Sequence, residues 1–269
     1  MYIDTHCHLS KEDYNDIDLI INNNRAANVD KIIISGCTRD TIIESLELAK
    51  RYDDVFLTIG FHPSEVLLTT DNDLIFLEKS LNNNKVVGIG EIGLDYHYDK
   101  ENIMAQQNLF RKQLLIARKY KLPVVIHSRD ATLDTINILS EYPDIKCVIH
   151  CFSGSVETAK KYISMGYMLG IGGVLTFKNS NLYKVIKEIG LDNIVIETDS
   201  PYLTPEPYRG KKNSSKYIYL VVKKISEILD IDEDVVSKKI LNNTYCMFDL
   251  SEKVWYLLHI VKWVGDKCV

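Results

Sequence analysis

Short β-branched apolar runs recur along the chain at Tyr2-Ile3, Lys31 to Ser35, Val55 to Ile59, Val86 to Ile89, Pro123 to Ile126, Cys147 to Ile149, Tyr167 to Ile171 and Ile194 to Ile196. Runs this short, rich in valine and isoleucine, read as buried strands. Stretches with helical periodicity lie between them. Ile103 to Tyr120 sets Leu109, Phe110, Leu114, Ile116 and Ala117 in a helical spacing, and Ser155 to Met165 is a second example. Alternation with crossover-length helices calls for a parallel sheet, and eight such units predict closure into an α/β (β/α)8 TIM barrel. Two further helices are expected near Tyr217 to Leu229 and Asp232 to Asn243, with Pro201 to Pro207 a stiff loop over the barrel mouth. No linker interrupts the pattern, so residues 1–250 are expected to form one domain.

Composition narrows the class. With 46% hydrophobic and 26% charged residues in 269, the chain has the apolar material for one large core. Its net charge of −5 gives no global attraction to nucleic acid or anionic membrane, so a polyanion would have to be held by local basic loops and bound metal. Six cysteines without paired spacing, and the absence of a basic-then-apolar leader after Met1, predict a cytoplasmic protein. The run from Val254 to Val264 carries His259 and Lys262 and is shorter than the roughly 20 apolar residues a membrane span needs, so no membrane partner is expected. A monomer is the starting expectation.

Candidate ligands stand where the apolar runs stop: His6 and His8 after the first, His62 after the third, Glu91 after the fourth, His127 after the fifth, His150 after the sixth and Asp199 after the eighth. Strand ends converge at the C-terminal mouth of such a barrel, so these residues, remote in sequence, should meet around one cavity. Side chains two apart on an extended chain point the same way, which lets His6 and His8 reach one cation. The same phase sets Val125 with His127, Val148 with His150, and Glu197 with Asp199.

The run Gly88-Ile-Gly90-Glu-Ile-Gly93 fits a dinucleotide-binding pattern, but a carboxylate in that loop would repel a pyrophosphate. Leu94 to Asp99 also reads as a loop and not as the helix whose N-terminus should hold the phosphate. The glycines are instead expected to let the backbone bend around Glu91. A carboxylate with two oxygens can bridge two cations, and Glu91 is the candidate bridge of a two-metal site. Asp199 is placed both to ligate and to take a proton from water. Glu197 either orients a ligand, ligates weakly or belongs to a barrel-interior layer.

With Asp4-Thr-His-Cys-His-Leu9, Gly88-Ile-Gly-Glu-Ile-Gly-Leu-Asp-Tyr96, His127-Ser-Arg-Asp-Ala131, His150-Cys-Phe-Ser-Gly154 and Glu197-Thr-Asp-Ser-Pro-Tyr-Leu203 in order, the chain resembles the TatD family of metal-dependent deoxyribonucleases over about residues 1 to 250. That resemblance implies an amidohydrolase-superfamily barrel, a divalent-metal site and hydrolysis of DNA phosphodiesters, commonly as a 3′-to-5′ exonuclease. It makes His6, His8, Glu91 and Asp199 ligands of one metal, and Glu91, His127 and His150 ligands of the other. It gives His62 a contact with substrate or phosphate. Two features depart from the family pattern: Asn213-Ser-Ser-Lys-Tyr217 stands where many members carry Asn-Glu-Pro, and residues 251–269 run past the usual end. In that extension Val254, Leu257, Leu258 and Val261 share one helical stripe beside Trp255 and Trp263, expected to pack on the barrel or on a second subunit.

For the DNA substrate, Arg129, Arg209, Lys211 and Lys212 lie in loops after the fifth and eighth strands and are the candidate phosphate contacts. Tyr96, Phe152 and Tyr202 are candidate stacking surfaces for an unpaired base. Cys7 and Cys151, each one residue from a histidine, should face away from the cavity. The expected cofactors are two divalent ions, magnesium, manganese or zinc. Competing readings are another hydrolase with the same metal pair, acting on a nucleotide phosphoester, an aminoacyl-RNA ester, a lactone or an amide, and a non-catalytic protein that binds metal or DNA ends.

Overall fold

Isoleucine and valine occupy both faces of most strands, the composition of a sheet covered on two sides. A computed structural model describes residues 1–250. Eight parallel strands follow one another in chain order around a single sheet: β1 (Tyr2–Cys7), β2 (Val29–Gly36), β3 (Val55–Ile59), β4 (Val86–Asp95), β5 (Val124–Arg129), β6 (Cys147–Ile149), β7 (Met168–Ile171) and β8 (Ile194–Ile196). Helices α1 (Ile17–Ala26), α2 (Arg39–Arg51), α3 (Asp71–Ser80), α4 (Ile103–Tyr120), α5 (Thr132–Ser140), α6 (Val156–Ser164) and α7 (Leu182–Ile189) connect them, and α8 (Tyr219–Leu229) and α9 (Glu233–Met247) follow the last strand. The predicted (β/α)8 barrel is the observed one.

Two apolar layers result. Inside the barrel, Ile3, Ile33, Phe56, Val87, Val125, Val148 and Val195 form one buried cluster, joined by Met247 at the end of α9 and by Phe248 and Leu250 just after it. A larger cluster fills the space between sheet and helices, including Ile32, Ile34, Leu57, Ile59, Ile126 and Ile149 with Phe110, Leu114 and Ile138. The inner apolar cluster fills the barrel interior, so its polar site can form only beyond it, where the inward rows continue as histidine and carboxylate.

The seam between β8 and β1 is joined by specific bonds. Asp199 N donates to His6 O at 3.0 Å and His8 N to Ser200 O at 2.7 Å. Thr5 Oγ1 donates to Ile196 O at 2.9 Å. The buried Asp4 carboxylate accepts from Thr198 N at 2.9 Å and Thr198 Oγ1 at 2.5 Å. Burial pushes the Asp4 carboxyl up to about 7, against the hydrogen bonds from Thr198, Ser215 and His6 that favour its charged form.

Several strands are longer than their apolar runs, and in two of them the extension carries candidate ligands of the second half of the site. The fourth continues through Asp95, so Glu91 stands inside a strand and the expected loop at Leu94 to Asp95 is strand. The fifth continues through Arg129, with His127 inside it. Among the described residues no helix is long and apolar enough to cross a membrane. The helical stripe expected at Val254, Leu257, Leu258 and Val261, with its two tryptophans, lies outside the described residues.

Candidate metal centre

Irregular pairing aims the first ligands inward. In β1, Asp4 pairs with Ile32 and Cys7 with Ile34, so one extra residue of β1 is accommodated in the stretch that carries His6, and His8 follows the strand end. In β4, Ile89 pairs with Val124 and Ile92 with Ile126, a second irregularity that spans Glu91. The glycines around Glu91 serve this close pairing, and not the sharp turn expected from sequence. A Cβ on Gly90 would lie 2.7 Å from Val125 Cβ, and one on Gly93, whose φ is 143°, would lie 2.0 Å from His127 O. On β5, β6 and just past β8 the simple alternation holds, Val125 leading to His127, Val148 to His150 and Val195 to Glu197, whereas Asp199 follows at a positive φ of 52°.

The two oxygens of Glu91 face different histidines. Oε2 is 3.5 Å from His6 Nε2 and 3.8 Å from His8 Nε2. Oε1 is 2.6 Å from His127 Nδ1, 3.6 Å from His150 Nε2 and 3.9 Å from His62 Nε2. Asp199 Oδ1 lies 3.7, 3.5 and 3.8 Å from Nε2 of His6, His8 and His150. His6 and His8 bring their Nε2 atoms within 3.3 Å of each other. Ligands about 2.0–2.2 Å from one tetrahedral ion stand roughly 3.3–3.6 Å apart, so the donor spacings around His6 and His8 suit a cation with little movement. On the other side, Glu91, His127 and His150 offer ligand atoms within 4.8 Å of one another. The donor set therefore fits a cation on the His6–His8 side, and the same carboxylate presents a second group of nitrogen and oxygen donors on its other side.

Charges within the cluster compensate each other. Burial alone would raise the Glu91 carboxyl, but His150, His127 and His6 outweigh it and hold the group well below the usual carboxylate range. Asp199 is likewise lowered, burial being overcome by His8, His150 and His6. Against their burial, His127 is raised to about 9 by Asp95 and Glu91, and His150 to about 10 by Glu197 and Glu91. Protons on these rings occupy the electrostatic role that a cation takes over when imidazole ligates it.

Further residues hold the ligands in place. Asp95 Oδ2 lies 3.0 Å from His127 Nε2, and its backbone is gripped by Gln106, whose Oε1 accepts from Asp95 N at 2.9 Å. Glu197 is wholly buried, 2.9 Å from His150 Nδ1, and accepts from Cys151 N at 2.6 Å. It sits behind His150, which favours the orienting role among those left open by its sequence. His62 begins a short 3-10 turn, where Ser64 N donates to its Nδ1 at 3.1 Å, so the neutral ring carries its proton on Nε2, toward Glu91. Burial holds this histidine down at about 4.

Asp95 and Asn213 went unassigned from sequence. Asp95 lies where the sequence reads as loop, because the glycine-rich run hides the strand. Asn213 is buried, and its Nδ2 donates to Thr198 O at 2.8 Å and Tyr202 O at 2.6 Å, bracing the turn that carries Asp199. The residue this segment keeps in common with the usual Asn-Glu-Pro thus braces this turn. Cys37, also unassigned, places its thiol 3.8 Å from Glu91 Oε2. Cys7 faces away as expected, its Sγ donating to Ile33 O at 3.6 Å. Cys151 does not, because its φ of 47° ends the alternation and keeps its thiol within 4.8 Å of ligand atoms on His150 and Glu197.

The basic candidates stand outside the cluster. Arg129 lies 4.8 Å over the Tyr98 ring, Arg209 3.8 Å over Phe177 and Lys211 5.4 Å over Tyr208, while Lys212 donates to Asp13 O. Among the described residues none of the four hydrogen-bonds to the cluster. Of the three aromatic candidates, Tyr96 and Phe152 are buried, the first bonded to Asp134 at 2.9 Å, and only Tyr202 is open, at 59% exposure.

The family model for TatD related DNase matches residues 3–249. The chain belongs to the TatD family. It is 38% identical over 255 residues to the uncharacterized metal-dependent hydrolase YabD of Bacillus subtilis, spanning 93% of this chain and 100% of YabD. The crystal structure of YjjV, a TatD homolog from Escherichia coli, superposes with a TM-score of 0.86 at 31% identity, over 92% of this chain and 98% of that one. A hydrolase TatD family protein from Entamoeba histolytica superposes at 0.82 with 25% identity, over 93% and 98%. TatD membership places the chain among metal-dependent hydrolases, in agreement with the donor cluster at its barrel mouth.

Proposed function

We propose that this TatD-family protein is a metal-dependent deoxyribonuclease that removes nucleotides from the 3′ ends of single-stranded or frayed DNA with the aid of two divalent cations. One observation carries the reading: the buried Glu91 turns Oε2 toward His6 and His8 and Oε1 toward His127 and His150. His6, His8, Glu91 and Asp199 would hold one ion, and Glu91, His127 and His150 the other, with magnesium, manganese or zinc compatible with such nitrogen and oxygen donors. Ions bound there supply Lewis acidity toward a phosphoryl oxygen and lower the pKa of water.

The chain's own groups do the rest. Asp199, held ionised by the surrounding histidines, accepts at Oδ1 a proton from the water that attacks phosphorus. His62 offers Nε2–H to a phosphoryl oxygen, because its Nδ1 is already used by Ser64 N. Glu197 keeps the His150 ring aligned and Asp95 that of His127. DNA as the substrate is supported by the family description as TatD related DNase and by the arginines on the rim.

The test is release of mononucleotides from 3′-hydroxyl single strands in magnesium, manganese or zinc. Cleavage should vanish with chelator and in Glu91→Ala, and a 3′-blocked strand should resist. Turnover confined to carboxylic or aminoacyl esters, with every DNA strand untouched, would replace this reading by that of another hydrolase using the same site.

A further inference from the structure

On the side of the loops after β1, β2 and β3, a cleft of about 360 Å³ reaches Glu91 but is lined by Glu12, Asp13, Glu44 and Glu65. A phosphate backbone is repelled there. On the side of the loops after β4 and β5, Arg129 ends a strand two residues beyond His127 and lays its guanidinium 4.8 Å over the ring of Tyr98.

Tyr98 is well anchored for so exposed a residue. Its N–H donates at 3.3 Å to Asp95 Oδ1, on the same carboxylate whose Oδ2 stands 3.0 Å from His127. The neighbouring His97 N–H donates to that oxygen at 2.9 Å, and the His97 ring meets Tyr98 edge-on, with centroids 4.9 Å apart. His97 in turn reaches across to Asp130, 3.1 Å away on the following loop. With all these contacts made, Tyr98 is still 77% exposed. A large flat ring is thus held at the site's edge, bare to solvent and backed by a cation. It is the arrangement that single-strand binding proteins use to stack a base and hold its phosphate.

We propose that Tyr98, with Arg129 against its ring, is the resting place of an unpaired nucleotide adjoining the scissile phosphodiester, the ring taking the base and the guanidinium the phosphate. This rests on the nuclease reading above and adds to it which side of the mouth the strand occupies and why an unpaired strand is preferred: a paired base has no free face to offer. Because stacking is indifferent to base identity, the rest favours no sequence.

Binding of a fluorescent eight-nucleotide thymidine strand to the chelator-treated protein, together with digestion kinetics of the same strand by the metal-loaded protein, tests this. Tyr98→Ala should weaken binding about tenfold, the low range of base–aromatic stacking, and raise KM more than it changes kcat. Tyr98→Phe should restore both. Arg129→Ala should weaken binding and flatten its salt dependence, as loss of one phosphate contact does. Tyr183 on α7, 42% exposed and also beside a lysine, is the matched control, and Tyr183→Ala should bind as the unaltered protein does. Equal binding by Tyr98→Ala and the unaltered protein, no rescue by phenylalanine, or an unchanged salt slope in Arg129→Ala would each overturn the assignment. If the strand is digested normally by Tyr98→Ala, the rest is wrong and the nuclease stands. If Tyr98→Ala loses binding while no protein digests any strand, the rest stands and the nuclease is wrong.

Discussion

The carboxylate of Asp95 stands 3.0 Å from Nε2 of His127, while Nδ1 of the same ring faces Glu91 at 2.6 Å. A histidine gripped in this way is held against rotation, and the carboxylate on Nε2 makes Nδ1 a better donor toward any cation it would take. Asp95→Ala should therefore lower affinity at the His127 side of the centre by about 10- to 100-fold while leaving the fold intact. Titration of metal into the chelator-treated protein, followed by calorimetry, reads this directly; an unchanged affinity would show that Asp95 only supports the loop to Tyr98.

Glu91→Gln keeps the size of the side chain and removes its charge. The two histidine pairs would then lose the anion that joins them, and one amide cannot offer two anionic oxygens to two cations. Metal content after dialysis should fall below that of the unaltered protein, and hydrolysis should drop by a factor on the order of 10² or more. Retention of full metal content would remove Glu91 from the bridging position.

Much of this site was legible before the fold was known, and the reason is periodicity. His127 and His150 continue the inward rows begun by Val125 and Val148, and Glu197 continues that of Val195, so alternation by two is enough to aim these three, while Asp199 follows β8 at a φ of 52° in the turn that Asn213 braces. Glu91 was found by its type and place, but not by phase, because an irregular pairing between Ile89 and Ile92 resets the alternation. Asp95 was missed for a related reason. Three glycines in six residues look like a turn, and only the neighbouring strand reveals that they are there to let β5 approach within contact of the β4 backbone. Asn213 acts through bonds to Thr198 and Tyr202 that no local pattern announces.

The charge balance of the centre predicts how stability follows pH. His127 and His150 rise in the fold to about 9 and about 10 from an ordinary value of 6.5. Between those values the folded chain holds protons that the unfolded chain releases, so their stabilisation is complete below about 6.5 and is lost as pH climbs through 9 and 10. Chelator-treated protein should therefore melt at progressively lower temperature from pH 7 to 10. Metal-loaded protein, whose ligand imidazoles are already neutral, should lose less over the same range. Thermal denaturation of both forms across that window checks the sign, and parallel curves would contradict it.

Gly170 on β7 offers the sharpest test of the role of Glu197. A Cβ built there falls 2.3 Å from Glu197 Oε2, closer than any two such atoms can remain, whereas one on Gly172 meets Glu197 O at 3.4 Å, an ordinary contact. The carboxylate cannot simply swing aside, since it is wholly buried, accepts through Oε1 from Cys151 N at 2.6 Å and has His150 Nδ1 2.9 Å away. Gly170→Ala must then displace Glu197, move His150 with it, and cost about 1–3 kcal/mol of stability. Gly172→Ala should cost clearly less. The two variants compared by denaturant unfolding and by metal content separate a general loss of barrel packing from a specific loss of His150 alignment: only Gly170→Ala should lower metal retention under conditions where both proteins are folded. Equal metal retention by the two would mean that Glu197 is filler of the barrel interior and not the residue that holds His150 in place.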